Sequence, residues 1–207
     1  MKVPSGKIPL KYQSTDYDCV PTTFLNALNF LFERNEIPPE VIQRILLYSL
    51  DTINKKGEHG KDGTSGLSAN FLIQWLDEYS NAGNKNFRLE CEYLSSDNDD
   101  DIHLGRNNKI VRCINDKGVA LCSVCIDEDI SHYILCTKAD QDFLYFFDPY
   151  YRHKQFSQKE KAFYEWIDDE WGYNLKVSRS RLDSYKTEKY SFGPKDQREV
   201  CLIKRKQ

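Results

Sequence analysis

The sequence predicts an α+β fold in a single domain spanning residues 1–207. Three observations carry that reading. In the first eighty residues, three segments repeat apolar side chains at helical spacing. Between residues 119 and 147, three short and almost continuous apolar runs are separated by turn residues, the pattern of strands in the centre of an antiparallel sheet. Hydrophobic residues make up 40% and aromatics 13% of the chain, enough for a buried core at this length, and no Pro-, Gly- or Ser-rich linker divides it.

Residues 1–12 form an extended arm, because Pro4, Gly6 and Pro9 block a helix. Phe24, Leu25, Leu28, Leu31 and Phe32 share one helical face, and Pro21, tolerated in a first turn, places the start of that helix beside Cys19. After Pro38-Pro39 a second helix is expected, with Val41, Ile42, Ile45, Leu46 and Leu50 facing inward. The polar, glycine-rich stretch at 53–66 belongs on the surface. It leads into a third helix capped by Ser65 or Ser68 that buries Leu72, Trp75, Leu76 and Tyr79. Phe87, Leu89, Cys91 and Tyr93 alternate with charged neighbours, giving a half-exposed strand from Phe87 to Leu94.

The acidic run at 95–101 lacks the glycine and distal glutamate of a calcium loop and is expected to be solvated. Lys109 to Asn115 offers a short helix with Ile110, Val111 and Ile114 inward, stopped at Gly118. The three central strands then run over 119–126, 133–137 and 143–147, joined by hairpins at 127–131 and 139–142. Ser157 and Glu160 stand at capping-box spacing, which predicts a helix burying Phe163, Trp166 and Ile167. Residues 173–177 and 199–204 are expected strands. The polar, basic segment between them is expected to be a loop and a candidate lid.

The formal charge of −3 gives no electrostatic reason to propose nucleic acid or an anionic membrane as partner. No apolar run approaches the roughly 18 residues that span a bilayer. The N-terminal lysines are not followed by an apolar h-region, so a secretory signal is not expected and the setting is expected to be cytoplasmic. Seven cysteines cannot all pair internally, which agrees with reduced thiols. Cys122 and Cys125 form a C-x-x-C inside an apolar strand with no second pair. They are expected to be buried core thiols and not zinc ligands.

The chemistry is concentrated at two places. Cys19 sits where a helix begins, and the unsatisfied N–H groups and dipole there stabilise an anion, so its thiol should ionise more readily than a free one. Six residues upstream, the amide of Gln13 could join the Cys19 N–H to hold a developing oxyanion if the loop 14–18 folds back. Far downstream, His132 stands at the start of one strand and Asp148-Pro149 at the end of the next. In a hairpin those positions are neighbours, so the carboxylate could reach one imidazole nitrogen while the other faces the thiol. His59, His103 and His153 lie in polar or turn segments and are expected at the surface; Asp18 is expected to shape the loop or cap the helix.

Gln13, Asp18, Cys19 and Pro21 before an apolar helix, with His132 opening an apolar strand and Asp148-Pro149 closing the following one, resemble the active-site segments of papain-like cysteine peptidases. The similarity is to the bacteriocin-processing peptidases that cleave double-glycine leaders and to their stand-alone relatives, and it covers roughly residues 13–151. It implies a papain-like fold, with a nucleophile-bearing helix packed against an antiparallel sheet. By the same resemblance Cys19 is the nucleophile, His132 the base, Asp148 its orienter and Gln13 the oxyanion donor, and the Gly63-Thr64 loop borders the cleft. Family members commonly carry glycine directly after the cysteine, where this chain has Val20.

The implied activity is a thiol protease, a hydrolase cleaving a peptide or amide substrate through a thioester without metal or organic cofactor. Two alternatives stand beside it: an acyltransferase or amidase using the same triad, and a papain-like binding module without activity. The residues leave substrate and oligomeric state open.

Overall fold

In the computed structural model, residues 3–83, 86–96, 101–128, 130–152, 156–168 and 170–206 are described. Helix α1 (Cys19–Leu31) carries Pro21 in its first turn, and α2 (Pro39–Tyr48) starts on Pro39, a residue whose missing N–H would have had no intrahelical acceptor. Ser65 accepts from the Ser68 N–H at the start of α3 (Gly66–Asn81), and Asn108 accepts from the Val111 N–H at the start of α4 (Lys109–Asn115).

Seven strands, β1 (Leu89–Ser95), β2 (Val119–Asp127), β3 (Ile130–Ala139), β4 (Phe143–Phe147), β5 (Tyr164–Trp166), β6 (Leu175–Ser178) and β7 (Glu199–Arg205), form one antiparallel sheet in the order β1-β7-β2-β3-β4-β6-β5. The protein is therefore α+β, with β2, β3 and β4 at the centre of the sheet as the apolar runs predict.

Strand alternation divides the core into two layers. Val119, Leu121, Tyr133, Leu135, Phe147, Cys201 and Ile203 face α1, α2 and α3, together with Leu10 of the N-terminal arm. Ala120, Cys122, Val124, Ile134, Cys136, Leu144, Phe146 and Val200 face the other way, toward α4 and the segments around Phe156, Leu182, Tyr190 and Phe192. Both faces being covered explains why these strands are almost continuously apolar in sequence. Cys122 and Cys125 are buried strand residues, and all seven cysteines are unpaired. Among the described residues no helix is long and apolar enough to cross a membrane.

Three expectations are corrected. Helix α2 turns Val41 and Ile45 fully inward, which leaves Ile42 half-buried at the margin and Leu46 56% exposed. Leu50 lies beyond the helix end, half-buried. The Ser157–Glu160 box does form, with the Ser157 N–H donating to Glu160 Oε2 (2.8 Å). It supports only a single 3-10 turn at Glu160–Ala162, after which the chain extends as β5. Pairing with β6, the edge-on packing of Tyr164 and the stacking of Trp166 on Phe156 outweigh the cap, and Phe163 is exposed.

The expected lid is instead a strap. It contains a short helix α5 (Arg179–Leu182), and Tyr190, Ser191 and Phe192 are buried. The Tyr190 N–H donates to the Cys125 carbonyl and the Cys125 N–H to the Ser191 carbonyl, both at 2.8 Å. The buried Arg198 guanidinium fastens the strap's ends, donating to the carbonyls of Gly193, Ile102, Asp183 and Ser184 and to Asp183 Oδ1.

Candidate active site

On the helical side, local hydrogen bonding builds the approach to Cys19. The carboxylate of Asp18 accepts from the Ser14 N–H (2.9 Å), the Thr15 N–H (2.7 Å) and the Thr15 hydroxyl (2.7 Å), curling residues 14–18 back on themselves. It makes no side-chain cap to α1, so of its two expected roles it takes that of shaping the loop. Burial alone would raise the Asp18 pKa, but these donors outweigh it and hold the carboxyl below its usual range. Cys19 emerges from this turn as the first residue of α1, half-buried. Val20, where the resembled family commonly has glycine, lies within the helix and is buried in the helical core layer.

On the sheet side, β3 and β4 bring the other two residues together. The antiparallel register pairs Leu135 with Phe147. Continued one step, it sets Asp148 opposite Ile134, diagonal to His132 on the same face, within reach of a side-chain contact. His132 Nε2 and Asp148 Oδ1 are 2.7 Å apart, with His132 only 7% exposed and Asp148 fully buried. Every polar group of Asp148 is engaged. Its Oδ1 also accepts from the Tyr150 N–H (2.8 Å), and its Oδ2 accepts from the Tyr190 hydroxyl (2.8 Å) with Arg152 Nε 3.8 Å away. The Asn174 amide frames the backbone, accepting from the Asp148 N–H (2.7 Å) and donating to its carbonyl (2.9 Å).

Two long-range bonds register the helical side against the sheet side. The Thr23 hydroxyl of α1 donates to the carbonyl of Tyr133, next to His132 (3.0 Å). The Gln13 N–H donates to the carbonyl of Pro149, next to Asp148 (2.8 Å). The result is that Cys19 and His132 line the same cleft, with the thiol near enough to the imidazole to raise its proton affinity. Since Nε2 is engaged by Asp148, Nδ1 is the ring nitrogen without a hydrogen bond to the carboxylate. Burial, the largest single influence on His132, would lower its proton affinity. The Asp148 charge and hydrogen bond, with the nearby Cys19 thiol, outweigh it and push the pKa up to about 10. Asp148 is held low for the converse reason: burial would raise it, and the His132 charge and hydrogen bond, the Arg152 charge and the Tyr150 N–H prevail.

Cys19 and His132 line one open cleft of about 650 Å³ with Gln13, Asp16, Tyr17, Asp62 and Gly63 on one wall and Ile126, Ile130, Ser131, Tyr150 and Arg152 on the other. The expected approach of the glycine-rich loop to the cleft is met by Gly63, while the Thr64 hydroxyl instead accepts from the Leu50 N–H. Gln13 reaches the cleft as well. One hydrogen of its Nε2 goes to the Thr15 carbonyl (2.7 Å), which leaves the second free to donate, and its buried Oε1 has no partner among the described residues.

The remaining candidates fall elsewhere. His59 is exposed, His103 is half-buried and close to Asp101, and His153 lies outside the described residues, as do four members of the acidic run. A second recess of about 310 Å³ beside α4 contains Cys91 and Cys113. Within it Lys109 pairs with Glu92 (2.7 Å) and Lys204 with Glu90 (3.1 Å), and burial pushes the Cys113 thiol up to about 11, away from reactivity. Among the described residues no group of three or more His, Cys, Asp or Glu side chains is disposed to hold a metal.

Sequence reasoning missed Tyr190, Asn174 and Arg152, the residues that surround Asp148. The alternation Tyr190-Ser191-Phe192 before Gly193 was the available signal for a buried stretch inside a polar segment. No family model matches the chain, and no curated protein matches it. The functional reading therefore rests on the residues and their geometry.

Proposed function

We propose that the protein is a papain-like cysteine peptidase or a closely related thiol hydrolase, acting on a peptide or amide substrate through a Cys19–His132–Asp148 triad. The observation that carries this is the buried Asp148–His132 pair, which shares one open cleft with the thiol of Cys19 at the start of a helix. A structural cysteine has no need of a histidine buttressed by a fully buried carboxylate.

In the proposed reaction His132 takes the Cys19 proton, and its raised pKa makes the resulting imidazolium stable. The thiolate attacks the substrate carbonyl carbon, forming an S–C bond and placing the charge on oxygen. The Cys19 N–H, in the first turn and so without an intrahelical acceptor, and the second N–H of Gln13 donate to that oxygen. Collapse breaks the C–N bond as His132 gives its proton to the leaving amine. His132 then takes a proton from water, which attacks the thioester, releases the acid and returns Cys19 to its resting state. Asp148 holds the imidazole in one tautomer throughout, with the proton on Nε2.

The test is acyl-enzyme trapping with a p-nitrophenyl ester, followed by mass spectrometry of the peptide containing Cys19. The expected result is a stoichiometric acyl adduct at Cys19 that disappears in Cys19→Ala and fails to accumulate in His132→Ala. Acylation that is unaffected by removing His132 would sink the triad. Adding amines to the trapped enzyme separates hydrolase from acyltransferase, since preferential amide product marks the latter.

A further inference from the structure

Tyr190 is a tyrosine where the backbone favours glycine. Its φ is +61°, in the left-handed region that bulky L-residues rarely adopt, and such positions persist where the surroundings over-determine them and the side chain is needed. Here the backbone is held to β2 by the Tyr190 N–H bond to Cys125 and the neighbouring Ser191 carbonyl. The ring packs edge-on to Tyr164 and Phe156, and its hydroxyl is the strap's contact with Asp148.

The direction of that contact is fixed by chemistry. Arg152 Nε lies 3.0 Å from the Tyr190 oxygen and can only donate. The phenolic hydrogen is therefore directed to Asp148 Oδ2, and the carboxylate is gripped at both oxygens, by Tyr190 on one and by His132 and the Tyr150 N–H on the other. Burial and the Asp148 charge keep the Tyr190 phenol protonated, so the donor persists across the pH range of any assay.

We propose that Tyr190 is a positioning residue of the active site: its hydroxyl fixes the plane of the Asp148 carboxylate, and through it the orientation of His132 toward Cys19. The inference rests on the thiol-hydrolase reading of Cys19 and His132. Without the hydroxyl, Oδ2 keeps only the distant Arg152, the carboxylate is free to turn, and it holds its negative charge less well. The groups that face Asp148 are His132 from β3, Tyr150 N–H and Arg152 after β4, the Asn174 amide before β6, and Tyr190 from the strap, with the Lys189 charge also felt there.

The experiment compares wild type, Tyr190→Phe and Tyr164→Phe. Tyr190→Phe keeps the ring and deletes only the hydroxyl. Tyr164→Phe removes a hydroxyl of the same aromatic cluster that bonds Glu160 and not Asp148. Cys19 alkylation by iodoacetamide is followed from pH 4.5 to 9 by mass spectrometry, and the Nε2–H proton of His132 by NMR, with melting curves to verify folding.

Tyr190→Phe is expected to slow alkylation at pH 7 by about tenfold, the scale of one hydrogen bond to a charged group. It is also expected to move the acid limb of the profile to higher pH, because the carboxylate has lost a donor, and to speed solvent exchange of the Nε2–H proton. Tyr164→Phe should leave all three unchanged. Equal slowing in both variants would reduce Tyr190 to packing, and an unchanged limb and exchange rate in Tyr190→Phe would overturn the proposal. Wild-type Cys19 reacting no faster than glutathione at pH 7 would instead count against the hydrolase reading, and the Nε2–H exchange rate would still decide the role of Tyr190.

Discussion

The two walls of the cleft are built by different means. On the helical wall the part that presents the nucleophile is local: Gln13, Asp18 and Cys19 lie within seven residues, and the bonds that shape the loop between them run among residues 13–18. The sheet wall is assembled from afar, with His132 from within β3, Asn174 from just before β6 and Tyr190 from the strap all focused on the buried carboxylate of Asp148, just after β4. A nucleophile can be presented by a short peptide turn, but a base held in one tautomer needs a fully desolvated, fully bonded acceptor, which only tertiary structure provides. Disturbing the local wall should loosen reactivity, whereas disturbing the distant wall should damage both reactivity and folding.

The largest effect is expected for His132→Ala, which should lower the acylation rate of Cys19 roughly 10²–10⁴-fold, the usual contribution of a positioned general base. A variant that stays folded and retains more than a tenth of the wild-type rate would show that the two walls do not work together.

Asp148→Ala should follow, lowering stability by about 3–5 kcal/mol because His132 and Arg152 are left without their buried anion. Its pH dependence separates this wall from any surface effect. The Asp148 pKa is lowered in the fold, so its stabilisation is present above the ordinary carboxylate range and is lost as pH falls. The His132 pKa is raised to about 10, so its share is complete below the ordinary value of 6.5 and fades as pH rises through 10. The stability difference between wild type and Asp148→Ala, read from urea melts, should thus be widest from about pH 4 to 6.5 and narrow on both sides. A difference that is flat from pH 4 to 10 would contradict the buried ion pair.

On the helical wall, Gln13→Ala should reduce acylation about 10²-fold, at the lower end for loss of an oxyanion donor, since the Cys19 N–H remains. Stability should barely change, and a melting temperature that falls while the rate holds would assign Gln13 a structural role. The smallest effect is expected for Asp18→Ala, about 1 kcal/mol of stability through the lost loop bonds, together with a modest fall in Cys19 reactivity. The folded Asp18 pKa is lowered, so this contribution too should disappear in acid, and one that persisted below pH 3 would point to another origin.

The same contrast explains what could be read from the sequence. Cys19 was legible because the helix boundary that defines it is set by Pro21 and the apolar face just beyond. His132 and Asp148 were legible because a hairpin makes the start of one strand and the end of the next neighbours, a relation fixed by local turns. Tyr190 was not, since its place depends on backbone pairing with Cys125, 65 positions earlier, and on a buried arginine at 198 that composition alone would put at the surface. The misread helix at 157–167 failed for the same reason: its cap formed, but an edge pairing with β6, formed after the chain turns back, determined the backbone.

The central claim is that Cys19 is a working nucleophile coupled to His132, and site-resolved alkylation addresses it most directly. With limiting iodoacetamide at pH 6, mass spectrometry of all seven cysteines should find Cys19 modified first and well ahead of glutathione in the same solution, with the advantage lost in His132→Ala. Modification of Cys19 at or below the glutathione rate throughout pH 5–7, or an advantage that survives the loss of His132, would contradict it.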